Sequence, residues 1–212
     1  MTMWTNSRLL LFTRYPEAGK TKTRLIAELG ADGAAMLHRR LTERIMVQAD
    51  LLQQRLGIAT TIHATGGSVK KMTAWLGPRQ CIVQVDGDLG QRMHAAFNHA
   101  FAGGAQKVVL IGSDIPDISI DHLQQAFAAL ITGPVVLGPS EDGGYYLIGL
   151  VDAHAAHLLP LLFDEMRWST ADLFATTLAR LDKAGYNAAL LPTLRDIDLP
   201  SDLFLARDRG LL

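Results

Sequence analysis

The sequence predicts one α/β domain, a mostly parallel sheet covered by helices on both faces. Three observations carry that prediction. Short apolar runs alternate along the chain with longer stretches of helical periodicity. Several apolar runs are continuous rather than alternating, the pattern of strands buried on both faces. The 212 residues contain no internal repeat, low-complexity tract or linker, so a single domain over 1–212 is the economical division.

The elements follow in order. Residues 8–12 read as a central strand, followed by a loop with Pro16 and Gly19. Ala34, Leu37, Leu41, Ile45, Leu52 and Leu56 recur at helical spacing over 31–56, one long amphipathic helix or two in series, ended by Gly57. Residues 58–64 are β-rich and close on Gly66-Gly67; 69–76 suggest a short helix and 81–85 a strand. Residues 91–101 are helical and stop at Gly103-Gly104. The cleanest buried strand is 107–111, and a helix is expected over 121–130. Strands follow at 135–137 and 145–150, helices at 153–162 and 170–184, and a last strand at 187–191.

Composition narrows the function. Twenty basic residues against 21 acidic give a net charge of −1, without the basic excess of a general nucleic-acid or membrane-surface binder. A lone cysteine, Cys81, excludes a disulfide framework or a Cys-rich zinc site and fits a reducing cytoplasm. No run of 18 apolar residues suggests a membrane span. Six histidines, His63, His94, His99, His122, His154 and His157, lack metal-ligand spacing and read as core or surface.

In open α/β sheets ligands bind outside the carboxyl ends of the strands, so the loops there are the places to look. The loop over 13–25 puts Arg14, Lys20, Lys22 and Arg24 within 11 residues, with Gly19 free to turn and a helix N-terminus to follow. This suits a di- or triphosphate. A P-loop would need glycine where Arg14 stands, and Pro16 removes a donor from the cradle. Asp114, just past the cleanest strand, is placed to hold Mg²⁺ or Mn²⁺. In the loop 138–146, Asp142 is the candidate base or hydroxyl-positioning group, and Gly143-Gly144 would let backbone approach a ligand; a simple Asp-Gly hairpin turn is the alternative. Of Asp196 and Asp198, one is expected to face a metal, and Asp198 takes that role. Trp168 stands in a candidate acceptor loop.

Taken together, these motifs resemble a known family. Phe12-x-Arg14-x-Pro16-x-x-Gly19-x-x-Lys22-Thr23-Arg24-Leu25, Gly112-Ser113-Asp114-x-Pro116, Glu141-Asp142-Gly143-Gly144-Tyr145-Tyr146 and Asp198-x-Pro200-x-Asp202-Leu203 are similar to a family of bacterial proteins assigned as glycosyltransferases, associated with radical-SAM and selenium-related gene clusters. More distant similarity runs to molybdenum-cofactor and 2-phospholactate guanylyltransferases. The resemblance implies a GT-A-like nucleotide-diphospho-sugar transferase fold, a Rossmann-like three-layer α/β/α sandwich. It implies nucleotide contacts from Thr13, Arg14, Gly19, Lys22, Thr23 and Arg24, with Arg92 opening a helix after Asp86-x-Asp88. It implies metal at Asp114 and Asp198. On the residues themselves, Gly143, Gly144 and Trp168 are candidate donor or acceptor contacts, and Asp142 and Lys22 are the candidate catalytic groups. The expected partners are a nucleotide-sugar or nucleoside triphosphate and a small-molecule acceptor. Glycosyl transfer is the leading reaction; nucleotidyl transfer with release of pyrophosphate, or nucleotide binding without turnover, are the alternatives.

Overall fold

The computed structural model describes residues 4–212. Among the described residues, seven strands form one sheet in the order β3-β2-β1-β4-β6-β5-β7. They are β1 (Ser7–Arg14), β2 (Ala59–Thr65), β3 (Cys81–Val83), β4 (Lys107–Ile111), β5 (Val135–Pro139), β6 (Tyr145–Val151) and β7 (Ala188–Leu190). All neighbours pair in parallel except β6, which is antiparallel to both β4 and β5. The reason is local. Residues 140–144 are too few for a crossover, so β5 and β6 form a hairpin. The loop is a hairpin turn, and it also brings Asp142 and Gly144 to a cleft at the strand ends.

Helices α1 (Ile26–Leu56), α2 (Val69–Leu76) and α4 (Ile120–Thr132) cover one face; α3 (Leu89–Ala102), α5 (Ala155–Phe163) and α6 (Leu173–Lys183) cover the other, and a short α7 (Leu203–Asp208) follows. The pattern of β1 shows why three layers form. Leu9 and Leu11 pack with Ile45, Leu52, Leu123 and Phe127, while Leu10 and Phe12 pack with Met93, Phe97, Leu158 and Leu162. A strand apolar on both sides needs helices on both sides. In α1, Gly30 leaves helical geometry (φ 70°, ψ 167°), so the regular helix starts at the expected residue 31. Residues expected to begin a helix at 170 instead form a turn, and α6 starts at Leu173.

A third apolar cluster joins the chain ends. Leu25, Leu37 and Leu41 pack with Ile197, Leu203, Leu205 and Leu211. It presses the C-terminal tail onto the first loop. Main-chain bonds stitch the same tail across the strand ends: Leu194 N to Pro139 O, Glu141 N to Leu194 O and Ile197 N to Asp114 O. The tail thereby joins the first, middle and hairpin loops into one wall. No helix among the described residues is long and apolar enough to cross a membrane.

Candidate functional site

The loop after β1 is built largely from its own polar groups. Gly19 takes φ +79°, as expected of a turn there. Thr21 Oγ1 donates to Tyr15 O, and an Arg14 guanidinium N–H donates to Lys20 O (2.9 Å). Arg14, Lys20, Thr21, Lys22, Thr23 and Arg24 then line a cavity of about 460 Å³, with His38, Asp114, Ser169 and Asp198 on its other sides. Thr13 lies behind this cavity rather than in it. Its buried hydroxyl bonds with Thr42 Oγ1 (3.1 Å) and lies 3.3 Å from His38 Nε2.

Lys22 differs from the free phosphate-binding cation expected of it. Its side chain is only 4% exposed. The ammonium lies 2.9 Å from Asp114 Oδ1 and 3.7 Å from Asp198 Oδ1, and donates to the Ile197 carbonyl. One lysine thus gathers the two proposed metal ligands, 84 residues apart in sequence, at one point. Arg24 pairs with the other oxygen of Asp198 at 2.5 Å.

His38 is the histidine the sequence passed over. On α1 it is 4% exposed. Its Nε2–H donates to Arg14 O (3.0 Å), and Nδ1 lies 3.6 Å from Asp114 Oδ1. Burial works against the charge on Asp114, but Lys22 and His38 outweigh it and hold the carboxyl well below the usual carboxylate range. Asp114 Oδ1 is shielded from solvent, while the side chain as a whole is 44% exposed toward the cleft.

The cleft continues past the carboxylates. Asp114, Asp142, Asp196 and Asp198 border one central cavity of about 320 Å³ with Ser140, Gly144 and Thr170. Asp142 Oδ1 accepts from Ser140 Oγ (2.5 Å) and Gly144 N (3.0 Å), which fixes its direction. Asp196 corrects the expectation that only one acid of the tail faces the site. Residues two apart in extended chain share a side, and both Asp196 and Asp198 border the cleft. Burial, then the charges of Asp142, Asp198 and Asp114, push the Asp196 carboxyl up to about 6. Asp202, buried behind them, accepts from Leu199 N (2.7 Å), Asp198 N (3.1 Å) and Arg195 (2.8 Å), and so shapes the tail.

Other expected residues have different reasons for being there. Gly143 (φ +87°) packs on the Ala171 backbone so closely that a Cβ would lie 1.9 Å from Ala171 O, and Phe174 N bonds to Gly143 O at 2.8 Å. The glycine thus joins the hairpin to the start of α6. Asp88 caps α3, accepting from Gln91 N at 2.9 Å. Arg92, one turn along, is not among the residues that line the cleft. Trp168 stacks on Phe163 (centroids 6.2 Å apart, planes at 28°) and borders an apolar recess off the central cavity.

The donor set fits a hard divalent cation completed by a ligand. No group of three His, Cys, Asp or Glu among the described residues is arranged as a metal cage. Mg²⁺ does not need one, since it is held by one or two carboxylates with waters and phosphate oxygens. Asp114 and Asp198 would be the two carboxylates, both bordering the same cavity. Burial is the first cause of the raised Asp196 pKa, and the charges of Asp142, Asp198 and Asp114 add to it, so four acids crowd one cleft.

Residues 45–170 match the model of a family described as an uncharacterized protein conserved in bacteria, DUF2064. The chain belongs to this family. A solved structure from Desulfovibrio desulfuricans G20, provisionally described as a nucleotide-diphospho-sugar transferase, is 33% identical to this DUF2064 member, with a TM-score of 0.84 over 100% of this chain and 97% of the other. CMP:2-keto-3-deoxy-manno-octonic acid synthetase in complex with CTP shares the fold at 14% identity and a TM-score of 0.56, covering 97% of each chain. A Mycobacterium tuberculosis H37Rv protein in complex with manganese does so at 15% and 0.53, over 94% of this chain and 96% of the other. These likenesses establish the nucleotide-diphospho-sugar transferase and nucleotidyltransferase type of α/β fold. No protein of curated function matches by sequence.

Proposed function

We propose that this protein is a metal-dependent transferase acting on a nucleotide-activated donor, and that the group it transfers is a sugar. One observation carries the reading: a cationic loop and the carboxylates Asp114 and Asp198 line one cavity at the strand ends, where Lys22 and Arg24 pair with the acids and Arg14 and Lys20 do not. Phosphate oxygens need cations from the protein, and carboxylates nearby would be needed to hold a divalent ion. Sugar transfer is favoured by the description of the 33%-identical relative.

In this reading Arg14, Lys20 and Arg24 bind the diphosphate, with Thr23 beside them. Asp114 and Asp198 would hold Mg²⁺ or Mn²⁺, which would supply charge neutralisation to the phosphates. The acceptor oxygen attacks the sugar carbon, and the carbon–oxygen bond to the diphosphate breaks. Arg14 and Arg24 stabilise the negative charge that builds on the leaving group. Asp142, held by Ser140 and Gly144, takes the acceptor's proton. Lys22 and His38 keep Asp114 ionised and aimed.

The four cations of the loop favour a second reading, in which a nucleoside triphosphate is the donor and pyrophosphate leaves. Phosphorus NMR separates the two, with water standing in for the acceptor. Nucleoside diphosphate released from a nucleotide-sugar supports sugar transfer. Pyrophosphate released from CTP or GTP replaces it with nucleotidyl transfer. Binding without either product leaves a nucleotide-binding protein and overturns the transferase reading.

A further inference from the structure

The cleft has an apolar end. Phe12, Met93, Leu110, Ile148 and Leu173 line a recess of about 110 Å³ with carbon. It opens into the central cavity, with which it shares Gly112, Tyr145, Tyr146 and Leu173. Of the polar atoms on its aromatic residues, only Tyr146 Oη is hydrogen-bonded elsewhere, while Tyr145 Oη and Trp168 Nε1 are shielded from solvent without a hydrogen-bond partner among the described residues. Tyr146 Oη donates to Pro192 O at 3.1 Å. The Tyr145 hydroxyl is buried beside Thr177, and burial pushes its pKa well above the ordinary value. Trp168 Nε1 is shielded and packed over Gly90, where an added Cβ would lie 2.6 Å from it.

A nucleobase needs partners along its edge and a sugar needs them for its hydroxyls. Burying either against carbon leaves polar groups unpaired at a cost of several kcal/mol. Phosphates belong at the basic end. On the transferase reading, the remaining substrate is the acceptor. We infer that the recess binds an apolar moiety of the acceptor, about the size of a phenyl ring or a five-carbon branched chain. An apolar cavity of roughly 150 Å³ holds benzene; at about 110 Å³ the recess holds such a group only with part of it in the central cavity, with which it shares Gly112, Tyr145, Tyr146 and Leu173. The acceptor's reacting oxygen then extends past Gly112 into the central cavity, which Asp142 and Asp114 border. The loop that carries Trp168 also reaches the basic cavity through Ser169, so one segment borders both ends of the cleft. Each methylene buried in the recess is worth about fourfold in affinity.

Saturation-transfer NMR with benzyl alcohol and 3-methyl-1-butanol, against glycerol, tests this on the full chain. The two apolar alcohols are expected to receive saturation and glycerol none. Met93→Phe, which narrows the recess, is expected to lower transfer at least fivefold while UDP, GDP or CTP with Mg²⁺ still binds. Met93→Ala is expected to extend binding to 2-phenylethanol. On the unaltered protein, the Met93 methyl signal is expected to shift with alcohol and not with glycerol, which serves if a variant does not fold. Nucleotide binding without alcohol binding, or transfer undiminished in Met93→Phe, overturns the recess and leaves the transferase reading standing. Alcohol binding without any nucleotide binding instead overturns the transferase reading, and the acceptor assignment with it.

Discussion

A lysine only 4% exposed must set its charge against other charge, because an unpaired buried ammonium is too costly. Lys22 sets it against Asp114 and Asp198 and takes a left-handed backbone (φ 47°) to get there. A non-glycine residue held in that region costs of order 1 kcal/mol or more, so the surrounding structure fixes it. The charge of this lysine is therefore committed to the two carboxylates. Lys22→Met is expected to cost about 2 kcal/mol of stability, the worth of a hydrogen bond to a charged group. Millimolar Mg²⁺ should restore part of that loss, because a cation held by Asp114 and Asp198 relieves the repulsion the lysine had screened. Urea denaturation with and without Mg²⁺ measures both; a loss that Mg²⁺ leaves untouched contradicts the placement of the ion.

At the scale of elements, the hairpin loop is held by contact rather than by sequence. Gly143 lies against Ala171, and its carbonyl accepts from Phe174 N, so the turn before α6 and the hairpin move as one. Gly143→Ala adds a methyl where backbone already stands, at a positive φ. The expected cost is about 1–3 kcal/mol, with nucleotide affinity falling alongside, measurable by denaturation and titration calorimetry. Full stability in this variant would show that the two loops are not joined as described. The strands and most helices were legible because both-sided apolar runs and helical spacing are direct records of burial. The direction of β6 was legible only as an alternative, since it depends on the length of one loop. His38 was not legible: among Ala34, Leu37 and Leu41 it reads as one more position on a buried helix stripe. Nor was the path of the tail, because main-chain bonds such as Ile197 N to Asp114 O can be made by almost any residue.

For the whole molecule, acid sensitivity follows from a histidine outside the site. His63 on β2 is 3% exposed beside Phe12, and burial lowers its pKa from 6.5 to about 4. The unfolded chain therefore takes up this proton first as pH falls. The contribution is fully present above pH 6.5 and is lost progressively down to about pH 4, amounting to about 3 kcal/mol. His63→Gln should flatten that part of the stability–pH curve, read as the difference in urea midpoint between pH 7 and 4.5; an unchanged slope would assign the sensitivity to other groups. The central claim concerns the loops at the carboxyl ends of the strands, where the first loop and the tail close one cleft. It is tested most directly by the melting temperature with UDP, GDP or CTP, with and without Mg²⁺, in the unaltered protein and in Asp114→Asn. At least one nucleotide is expected to raise the melting temperature only when Mg²⁺ is present, and Asp114→Asn is expected to abolish that dependence. A protein that no nucleotide stabilises even with the metal, or an Asp114→Asn variant with its Mg²⁺ dependence intact, would contradict the account.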